Sequence, residues 1–576
     1  MTKLIALLLS LLTALSGFAA ALKEDGADAA AALLWGVPVT RESVKDDFLA
    51  KLNDSDVAHL NRDHGYYKNL LVIFLKEEAA LGQKYRLLRD NRLTLLGWYG
   101  PADLYVVGCG ESSLTGLLGL SDTLMQNPVV AYAGPVSVSK AEDAYTPDDP
   151  FEGDEIWSES APAGANWWLE AVDAREAWNY TLGSKNITVG ILDSGINISH
   201  EELAGKVSFP AAKYARQNRA GSHGTHVAGL IAANHGNGVG LAGISPEVSL
   251  MTVDWEPSDL QFWSGNLKIL FGFCDLVKAG AKVINCSFGS SSNASDSKGS
   301  DFGMLLDAAL YSAVFSSLLN KGYDFVVVQS AGNGNSSQNA VDAFYNGTFC
   351  PITAGNAITF GKTKAEDILN RIIVVGAAAN MGSGEYMQPI YSNVGEQVSV
   401  AAPGVFLYSC DMNDGEYCYK SGTSMSAPVV SGVAALVWSA VPSLKGDAVK
   451  RIVCDEANTD AVALQRTDYA YEGLHYKDYP MVNAALSVKA ALWQTGEYGL
   501  AEGTADTAAD TVTLQNGDEL CCAVVGEDGS FSALLTPGTW HAAASDIYGN
   551  PLGSAEITVT AGQQTQVAFG GMIYVD

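Results

Sequence analysis

Apolar and polar residues follow three different patterns along this chain, and each pattern predicts a different kind of fold. From about residue 167 to 495, nearly continuous apolar runs alternate with segments of helical spacing. Continuous Val and Ile runs are typical of strands buried on both faces, so we expect a parallel sheet with helices on both faces. The predicted strands are 186–193, 281–289, 323–333 and 370–379, and the strongest predicted helix is 424–441.

Residues 69–133 form a smaller pattern of their own. A short apolar strand at 70–75 precedes a predicted hairpin around Gly100-Pro101, a helix at 112–126 and a final strand at 128–133. The order strand, helix, strand, strand, helix, strand is typical of a ferredoxin-like α+β fold. We therefore expect a separate unit over 22–135, with its core at 69–135.

The last pattern covers residues 505–576, which contain neither Lys nor Arg. Short strands separated by Gly, Pro, Asn and Asp turns predict a small all-β sandwich. Its Pro537-Gly538-Thr539-Trp540 turn resembles that of carboxypeptidase-regulatory or transthyretin-like modules. We expect a stabilising or binding role for it, because the segment holds no pair of nucleophile and base.

The first residues indicate export. Lys3, an apolar stretch from Leu4 to Leu15 and the small residues that follow predict a signal peptide at 1–21. A buried N-terminal helix is the alternative, and the stretch is short for a membrane span. We expect a secreted protein without a membrane span. Residues 136–166 are rich in Asp, Pro, Glu and Ser, and they predict an exposed linker with a processing site.

Composition removes two classes of partner. Lys plus Arg is 34 and Asp plus Glu is 64, which gives a net charge of −30. Such a charge disfavours binding to nucleic acid and to anionic membranes. The nine cysteines are few for a disulfide scaffold. Cys410 and Cys418 flank a short polar loop, and whether they pair across a hairpin is left open.

Three motifs carry residues suited to acyl transfer. They are Asp193-Ser194-Gly195 after a predicted strand, the segment SHGTHVAG at 222–229, and the segment GTSMSAP at 422–428. Attack by a serine needs a base to take its proton and a carboxylate to orient that base. A serine at a helix N-terminus also has backbone N–H groups aimed at a developing oxyanion.

These segments, together with VINCSFG (283–289) and VVVQSAGN (326–333), occur in one order over about 155–495. In them the chain resembles the subtilases, the subtilisin-like serine peptidases. The resemblance implies that Asp193 orients His223, that His223 is the general base, and that Ser424 is the nucleophile. It further implies that Asn333 stabilises the oxyanion, and that Ser287, Phe288 and Gly289 bind the substrate backbone and wall its pocket.

The resemblance also implies what surrounds the site. Protein or peptide substrates are expected, with residues 22–135 as a prodomain that inhibits the peptidase domain (167–497) from within the chain. No cofactor is required, and no residue is assigned as a catalytic metal ligand. A structural Ca²⁺ near Glu202, Asn234 and Asn237 is one interpretation, and ordinary turns explain that loop as well. An insertion at 335–369, which includes Asn346, leaves the cleavage specificity open.

Three functions remain for comparison. The first is an active, secreted serine endopeptidase made as an autoprocessed zymogen, and intact Asp193, His223, Ser424 and Asn333 favour it. The second is a binding protein on an inactive peptidase scaffold. The third is a hydrolase of other acyl bonds, such as esters, which shares the same chemistry and differs only in its pocket.

Overall fold

The structure is a computed structural model. It describes residues 37–38, 43–49, 52, 54–59, 64–76, 79–140, 167–211, 218–255, 263–264, 266–289, 297–334, 339–382, 385–455, 458–460, 479–509, 511–517, 519–526, 528–545 and 551–569. The predicted signal peptide at 1–21, residues 22–36 of the predicted prodomain, and residues 141–166 of the predicted linker lie outside the described residues.

An antiparallel sheet with two helices forms the N-terminal unit. Its elements are β1 (Val44–Lys45), β2 (Val57–His59), β3 (His64–Leu75), α1 (Leu81–Asp90), β4 (Thr94–Tyr99), β5 (Leu104–Gly108), α2 (Leu114–Met125) and β6 (Val130–Lys140). The central strands lie in the order β4-β5-β3-β6. This is the ferredoxin-like arrangement, so the predicted α+β fold is confirmed. Alternation along β3 buries Leu71 and Ile73 against the helices, while Val72 and Phe74 face the rest of the protein.

The central domain is built on a second sheet. The strands of this domain are β7 (Thr188–Asp193), β8 (Val207–Ser208), β9 (Ser249–Asp254), β10 (Trp263–Ser264), β11 (Val283–Cys286), β12 (Val326–Ser330), β13 (Ile372–Gly382), β14 (Glu385–Met387), β15 (Val400–Pro403), β16 (Leu407–Cys410), β17 (Tyr417–Lys420), β18 (Thr459–Asp460) and β19 (Met481–Val482). All of them except β10, β16 and β17 belong to the second sheet. Of these, β15-β13-β12-β11-β7-β9-β8 run parallel in that order.

The helices of this domain pack on the parallel sheet, on one another or, for the long helix Ser297–Asn320, on the N-terminal sheet. They are α3 (Trp167–Glu170), α4 (Ala174–Ala177), α5 (Ser222–Ala232), α6 (Asn266–Lys278), α7 (Ser297–Asn320), α8 (Cys350–Thr353), α9 (Ala365–Leu369), α10 (Thr423–Ala440), α11 (Gly446–Val453) and α12 (Ala484–Trp493). The sheet residues are buried; all five residues of β12 are, for example. This matches the predicted α/β fold, and it explains why the strands read as continuous apolar runs.

Strand β10 belongs to the N-terminal sheet and not to the central one. It pairs antiparallel with the end of β6, with Trp263 opposite Lys140 and Ser264 opposite Ser139. Residues 136–140, assigned to the linker from the sequence, therefore belong to a strand that joins the two units.

The C-terminal unit is a two-sheet β-sandwich. Its strands are β20 (Gly499–Thr504), β21 (Thr511–Asn516), β22 (Glu519–Val524), β23 (Ser530–Leu535), β24 (Gly538–Ser545), β25 (Pro551–Val559) and β26 (Gln564–Ala568). They form the sheets β23-β20-β26 and β22-β21-β24-β25 around a core that includes Phe531 and Trp540. The all-β prediction is confirmed, although β20 starts before the predicted boundary at 505.

The pairing of Cys410 with Cys418, which the sequence left open, is not formed. Both cysteines are free. In the β16–β17 hairpin Cys410 lies opposite Tyr417, whereas Cys418 lies opposite Ser409. Directly opposed residues share a face of a sheet and successive residues alternate, so the two sulfur atoms point to opposite faces.

Within the part of the chain that the structure describes, two helices are long and apolar enough to cross a membrane by length and composition. They are residues Phe302–Asn320 of α7 and the whole of α10, and 78% and 89% of their respective apolar windows are buried inside the protein. Such burial is typical of core helices.

Candidate active site

Three of the predicted site segments meet at one edge of the parallel sheet. Asp193 ends β7, Ser287 follows β11, and Asn333 lies shortly after β12. These strands are neighbours in the order β12-β11-β7 and run parallel, so their carboxyl ends lie side by side. In open α/β sheets the crevice beyond the carboxyl ends is the usual place for a ligand.

Asp193 and His223 are joined by a short hydrogen bond. Nδ1 of His223 lies 2.7 Å from Oδ1 of Asp193, and the Asp193 side chain is only 3% exposed. A carboxylate can only accept, so Nδ1 carries the proton and Nε2 keeps a lone pair for a second partner. The backbone N–H of Ser194 donates to the same oxygen at 2.7 Å, which fixes the carboxylate further.

Helix α5 brings His223 to this carboxylate. His223 is the second residue of the helix, and Gly224 follows it. A Cβ atom at Gly224 would lie 2.2 Å from the carbonyl oxygen of Gly195, so only glycine permits this approach. The other histidine of the motif, His226, is fully buried and its Nε2 lies 2.9 Å from the carbonyl oxygen of Leu407. Burial lowers its pKa to about 3, which keeps it neutral and structural.

Ser424 is the second residue of α10 and is 5% exposed. Gly422 precedes the helix with a φ of 146°, a value in the region that favours glycine. The Ser424 hydroxyl donates to the carbonyl oxygen of Ser287 at 3.1 Å. Because Ser424 lies in the first turn, the backbone N–H groups of that turn and the positive end of the helix dipole are close to its side chain.

The carboxamide of Asn333 is oriented by Thr423, the neighbour of Ser424. Oδ1 of Asn333 accepts hydrogen bonds from the Thr423 backbone N–H at 2.8 Å and from the Thr423 hydroxyl at 2.9 Å. The amide nitrogen must therefore lie on the other side of the group. It would be 3.2 Å from a Cβ at Gly422, so Nδ2 lies next to the start of α10.

The side chain of Ser287 is hydrogen-bonded to helix α10. Its hydroxyl donates to the carbonyl oxygen of Ser424 at 2.8 Å and accepts from Nδ2 of Asn285 at 2.9 Å. Oδ1 of Asn285 in turn accepts from the hydroxyl of Ser431 in α10 at 2.9 Å. The next residue, Phe288, packs its ring on Trp255 with centroids 5.2 Å apart. The segment 287–289 is therefore held rigidly beside Ser424.

One residue that orders the site was not identified from the sequence. Asn393 is buried, and its Oδ1 accepts from the backbone N–H groups of Gly334 (3.1 Å) and Val341 (3.0 Å). Its Nδ2 donates to the carbonyl oxygen of Ala331 at 2.9 Å, so both ends of its amide hold the loop that carries Asn333. In the sequence, Asn393 is marked only by its place before Val394, downstream of the predicted strand 370–379.

The geometry around Glu202 does not fit the Ca²⁺ site considered above. Its buried carboxylate accepts from the backbone N–H groups of Asn234 (3.1 Å) and Leu241 (3.3 Å), from Nδ2 of Asn237 (2.9 Å) and from the Tyr417 hydroxyl (3.4 Å). Burial raises the pKa of Glu202. Ca²⁺ needs oxygen atoms that face the ion, whereas here N–H and O–H donors surround the carboxylate. Among the described residues, no group of three or more His, Cys, Asp or Glu side chains could hold a metal ion.

Comparisons with known proteins identify the family. The profile of the subtilase family, Peptidase_S8, matches residues 184–477. The thermophilic serine proteinase of Bacillus sp. (strain AK1) is 31% identical over 391 residues, which cover 66% of this chain and 82% of the relative. Thermitase of Thermoactinomyces vulgaris is 31% identical over 300 residues, covering 51% of this chain and 86% of the relative.

A solved structure shares the fold over most of the chain. It is fervidolysin from Fervidobacterium pennivorans, described as a keratinolytic enzyme related to subtilisin. The TM-score is 0.53 at 19% sequence identity, and the match covers 87% of this chain and 78% of fervidolysin. At this identity the similarity is evidence for the fold alone.

Proposed function

The chain belongs to the subtilase family of serine endopeptidases, and we propose that it is a secreted zymogen that cleaves peptide bonds through Asp193, His223 and Ser424. The observation that carries the assignment of the residues is the 2.7 Å hydrogen bond between His223 and Asp193. This bond leaves Nε2 of His223 free to act as the base. The motif that carries Ser424 begins a buried helix at the same edge of the sheet.

In this mechanism the Ser424 oxygen attacks the carbonyl carbon of the scissile bond while Nε2 of His223 takes the hydroxyl proton. Asp193 stays ionised, holds the imidazole in one tautomer and stabilises the imidazolium. The protonated His223 then gives its proton to the leaving amine, which yields an acyl-enzyme. Water activated by the same imidazole hydrolyses that ester and restores the Ser424 hydroxyl.

Asn333 is proposed to stabilise the tetrahedral intermediate. Thr423 already occupies its Oδ1, so Nδ2 is the atom directed to the region in front of α10. A positioned amide donor and the backbone N–H groups at the start of a helix both favour a developing oxyanion. The segment Ser287, Phe288 and Gly289 is proposed to bind the extended substrate backbone on the opposite side.

The N-terminal unit is proposed to act as the prodomain and inhibitor. The end of its last strand, β6, pairs with β10 through Ser139 and Lys140. Strand β10 begins at residue 263, nine positions after Asp254, and Asp254 is the register partner of Asp193. The last strand of the N-terminal unit is therefore paired with a strand that follows the catalytic edge in the chain. Processing is proposed to fall in 136–166.

The catalytic assignment is tested with a fluorophosphonate and with casein. The unmutated chain is expected to bind the fluorophosphonate covalently and to hydrolyse casein, and Ser424→Ala is expected to lose both. Casein hydrolysis that persists in Ser424→Ala would exclude Ser424 as the nucleophile. A chain that neither labels nor hydrolyses casein would favour an inactive scaffold, and cleavage of esters without peptides would favour the ester hydrolase.

Secretion and processing are tested with the full chain in a bacterial host. We expect protein in the medium whose N-terminus lies within 136–166, while Ser424→Ala keeps residues 22–135 attached. An N-terminus within 136–166 for Ser424→Ala as well would show that another peptidase does the processing. Retention of the chain in the cell with residues 1–21 intact would contradict the proposed export.

A further inference from the structure

A cavity of about 280 Å³ lies where the N-terminal unit meets the peptidase domain. The N-terminal unit contributes Leu75, Lys76, Asp103 and Ala131 to its wall, and the peptidase domain contributes the end of α7 and the loop 360–362. None of the described lining residues belongs to the candidate active site. Because its walls come from two units, the cavity is complete only while those units are together.

The cavity carries more positive than negative charge. Lys76, Lys321 and Lys362 line it, and Asp103 is the one carboxylate among the described lining residues. Asp103 is already paired, because Nζ of Lys321 lies 2.9 Å from its Oδ2. Lys76 and Lys362 form no ion pair with a described residue, so the lining has two ammonium groups in excess. In a chain whose net charge is −30, this is a local reversal of sign.

The loop that carries Lys362 is held by Asn320, the last residue of α7. Nδ2 of Asn320 donates to the carbonyl oxygen of Phe360 at 2.9 Å. Its Oδ1 accepts from the backbone N–H groups of Lys362 at 2.8 Å and Thr363 at 3.2 Å. Gly361 has a φ of 70°, and a Cβ atom there would collide with the Asn320 carboxamide. This wall of the cavity is therefore formed before a ligand arrives.

The end of α7 also joins the two units directly. Nζ of Lys321 donates to the carbonyl oxygen of Gly100 at 3.0 Å, and the hydroxyl of Ser317 donates to the carbonyl oxygen of Ala102. Both acceptors lie in the turn that precedes β5 of the N-terminal unit. Separation of the units would break these bonds and open the cavity.

The end of α7 disfavours an anion, since a helix dipole is negative there. Its last carbonyl groups are partly engaged, however. That of Leu318 accepts from the backbone N–H of Lys321 at 3.1 Å, and that of Ser316 accepts from the hydroxyl of Thr363 at 3.3 Å. A dipole at an exposed helix end changes affinity by at most about five-fold, whereas a contact with a charged group is worth about 10-fold or more. Two ammonium groups therefore outweigh it.

We propose that this cavity binds a small phosphate monoester with a short apolar body, and that the bound ligand holds the N-terminal unit on the peptidase domain; the second part rests on the proposed inhibitory role of that unit. A phosphate group carries a charge near −2 at pH 7, which matches the two lysines in excess. Lys76 and Lys362 are exposed, so the cavity is reached from solvent on their side. Leu75, Ala131 and Phe360 offer apolar contact to the organic part.

The size of the cavity and its position define the ligand further. Small-molecule sites start at about 300 Å³, so only a compact ligand fits here. Because the two walls belong to different units, a ligand that binds between them favours the joined state. At 100 times its dissociation constant, such a ligand makes opening of the interface about 100-fold rarer. The cavity thus acts as a brake on release of the N-terminal unit.

The first experiment measures binding to the full chain carrying Ser424→Ala, so that catalysis plays no part. Isothermal titration compares phenyl phosphate, inorganic phosphate and benzyl alcohol. We expect one phenyl phosphate per chain, bound at least about 10-fold more tightly than inorganic phosphate, which lacks the apolar part, and no binding of benzyl alcohol. Absence of phenyl phosphate binding, or equal affinity for either of the other two compounds, would overturn the proposal.

The second experiment locates the ligand. Lys76→Met and Lys362→Met should each weaken binding of phenyl phosphate by about 10-fold. Lys364→Met is the matched control, because Lys364 is exposed and only two positions from Lys362 but does not line the cavity. Ala131→Leu fills the apolar part without a change of charge and should abolish binding. An equal loss in Lys364→Met would show attraction to the general surface instead; if Ala131→Leu does not fold, the lysine variants still decide.

The third experiment tests the brake. Hydrogen exchange of β3 and β5 is followed in the Ser424→Ala chain, with and without phenyl phosphate at 100 times its dissociation constant. We expect up to about 100-fold slower exchange in these strands and no change in β22 and β23 of the sandwich. Binding without this protection would contradict the brake. Failure of the unmutated chain to react with a fluorophosphonate would contradict the peptidase function but not the phosphate site, which is measured without catalysis.

Discussion

The N-terminal unit and the C-terminal sandwich both contact the peptidase domain, but the N-terminal contact contributes many more buried residues to the main core. On the N-terminal side the contact is aromatic and continuous with the main core. Phe48 and Tyr99 each lie edge-on to Phe271 of α6, with ring centroids 6.0 Å and 5.8 Å apart, and Phe74 lies 6.1 Å from Phe360. Departure of this unit would expose apolar surface on the peptidase domain.

The polar groups of the N-terminal interface are buried as well. Lys321 donates to the carbonyl oxygen of Gly100 at 3.0 Å and forms a 2.9 Å ion pair with Asp103. Only 13% of the Lys321 side chain and 5% of the Asp103 side chain are exposed. Asp307 of α7 is 2% exposed and accepts a hydrogen bond from the Ser137 hydroxyl of β6.

The C-terminal sandwich has its own hydrophobic core and meets the peptidase domain through a small apolar contact, in which Leu534 joins the main core and Tyr180 packs on the sandwich core, together with hydrogen bonds. The hydroxyl of Tyr180 accepts from the backbone N–H of Leu534 at 3.1 Å, and Nδ2 of Asn179 donates to the carbonyl oxygen of Cys522 at 2.8 Å. Lys489 donates to the carbonyl oxygen of Ser532 at 3.3 Å. Removal of the N-terminal unit therefore changes the surface of the peptidase domain. The sandwich, by contrast, is an attached module with a core of its own.

The largest expected effect concerns which of the two units is released. In the active chain, the N-terminal unit should be cut off while the sandwich stays. Asn333→Ala should slow this release by about 10² to 10³-fold, the loss seen when the equivalent kind of donor is removed from a subtilisin. Mass spectrometry of a time course measures it. Release of the sandwich at the same rate would contradict the comparison.

The next effect breaks the buried ion pair of the N-terminal interface. Lys321→Met, made in the Ser424→Ala chain, leaves Asp103 buried without its cation, which typically costs about 3–5 kcal/mol. Hydrogen exchange should show that opening of β3 and β5 becomes easier by that amount. Lys445→Met is the control, because Lys445 is 72% exposed and its nearest carboxylate is 4.0 Å away. Equal effects of Lys321→Met and Lys445→Met on this opening would show that burial of the ion pair is not what stabilises the interface.

A pH dependence should also separate the interfaces. Burial raises the pKa of Asp307 from 3.8 to about 6, so the intact fold binds this proton more tightly than the unfolded chain does. Its contribution to stability is therefore fully present below about pH 4 and is lost as the pH rises through about 6. The change is on the order of 3 kcal/mol.

Asp307→Asn removes that titration while keeping the shape of the side chain. In the Ser424→Ala chain, hydrogen exchange should show that the free energy needed to open the N-terminal unit decreases between pH 4 and 7. When Asp307→Asn is added, this decrease should disappear. The exchange of the C-terminal sandwich should not change with this substitution. Identical pH profiles with and without the Asp307→Asn substitution would show that this carboxyl is not the titrating group.

The smallest effect belongs to the sandwich. Tyr180→Phe removes the acceptor of the Leu534 N–H and should lower the stability of the sandwich contact by about 1 kcal/mol. Tyr419→Phe, on a side chain that is 45% exposed, serves as the control. Opening measured for β22 and β23 should respond, while β3 and β5 should not. If Tyr180→Phe lowered stability more than Lys321→Met does, the proposed ranking of the two interfaces would be reversed.

Much of the fold was predictable because its signals are local. The runs at 186–193 and 323–333 predicted β7 and β12, and the run from Ser424 predicted α10, since continuous burial and a helix start can be recognised within a few residues. The neighbouring positions of Asp193, Ser287 and Asn333 also followed once the strands were assigned to a parallel sheet. Register was not predictable, and this is why the sequence left open whether Cys410 pairs with Cys418.

The missed features depend on contacts between distant residues. Asn393 orders the loop of Asn333 from 60 positions further along the chain, and its amide looks like any other in the sequence. For Glu202, residues with the right oxygen atoms were present, but Asn234 and Asn237 turn N–H groups toward it. Residue type shows what a side chain can do, whereas the packing of the loop decides which of its atoms is used.

The sequence by itself determined the class of chemistry, because Asp193, His223 and Ser424 each lie in a motif whose turn or helix start is encoded by its immediate neighbours. The tertiary structure alone decided how Asn393 holds the loop of Asn333, the burial of Asp307 against Ser137, and the contrast between the two interfaces. Each of these depends on the distance between segments that are far apart in the chain, and packing of the whole protein sets that distance.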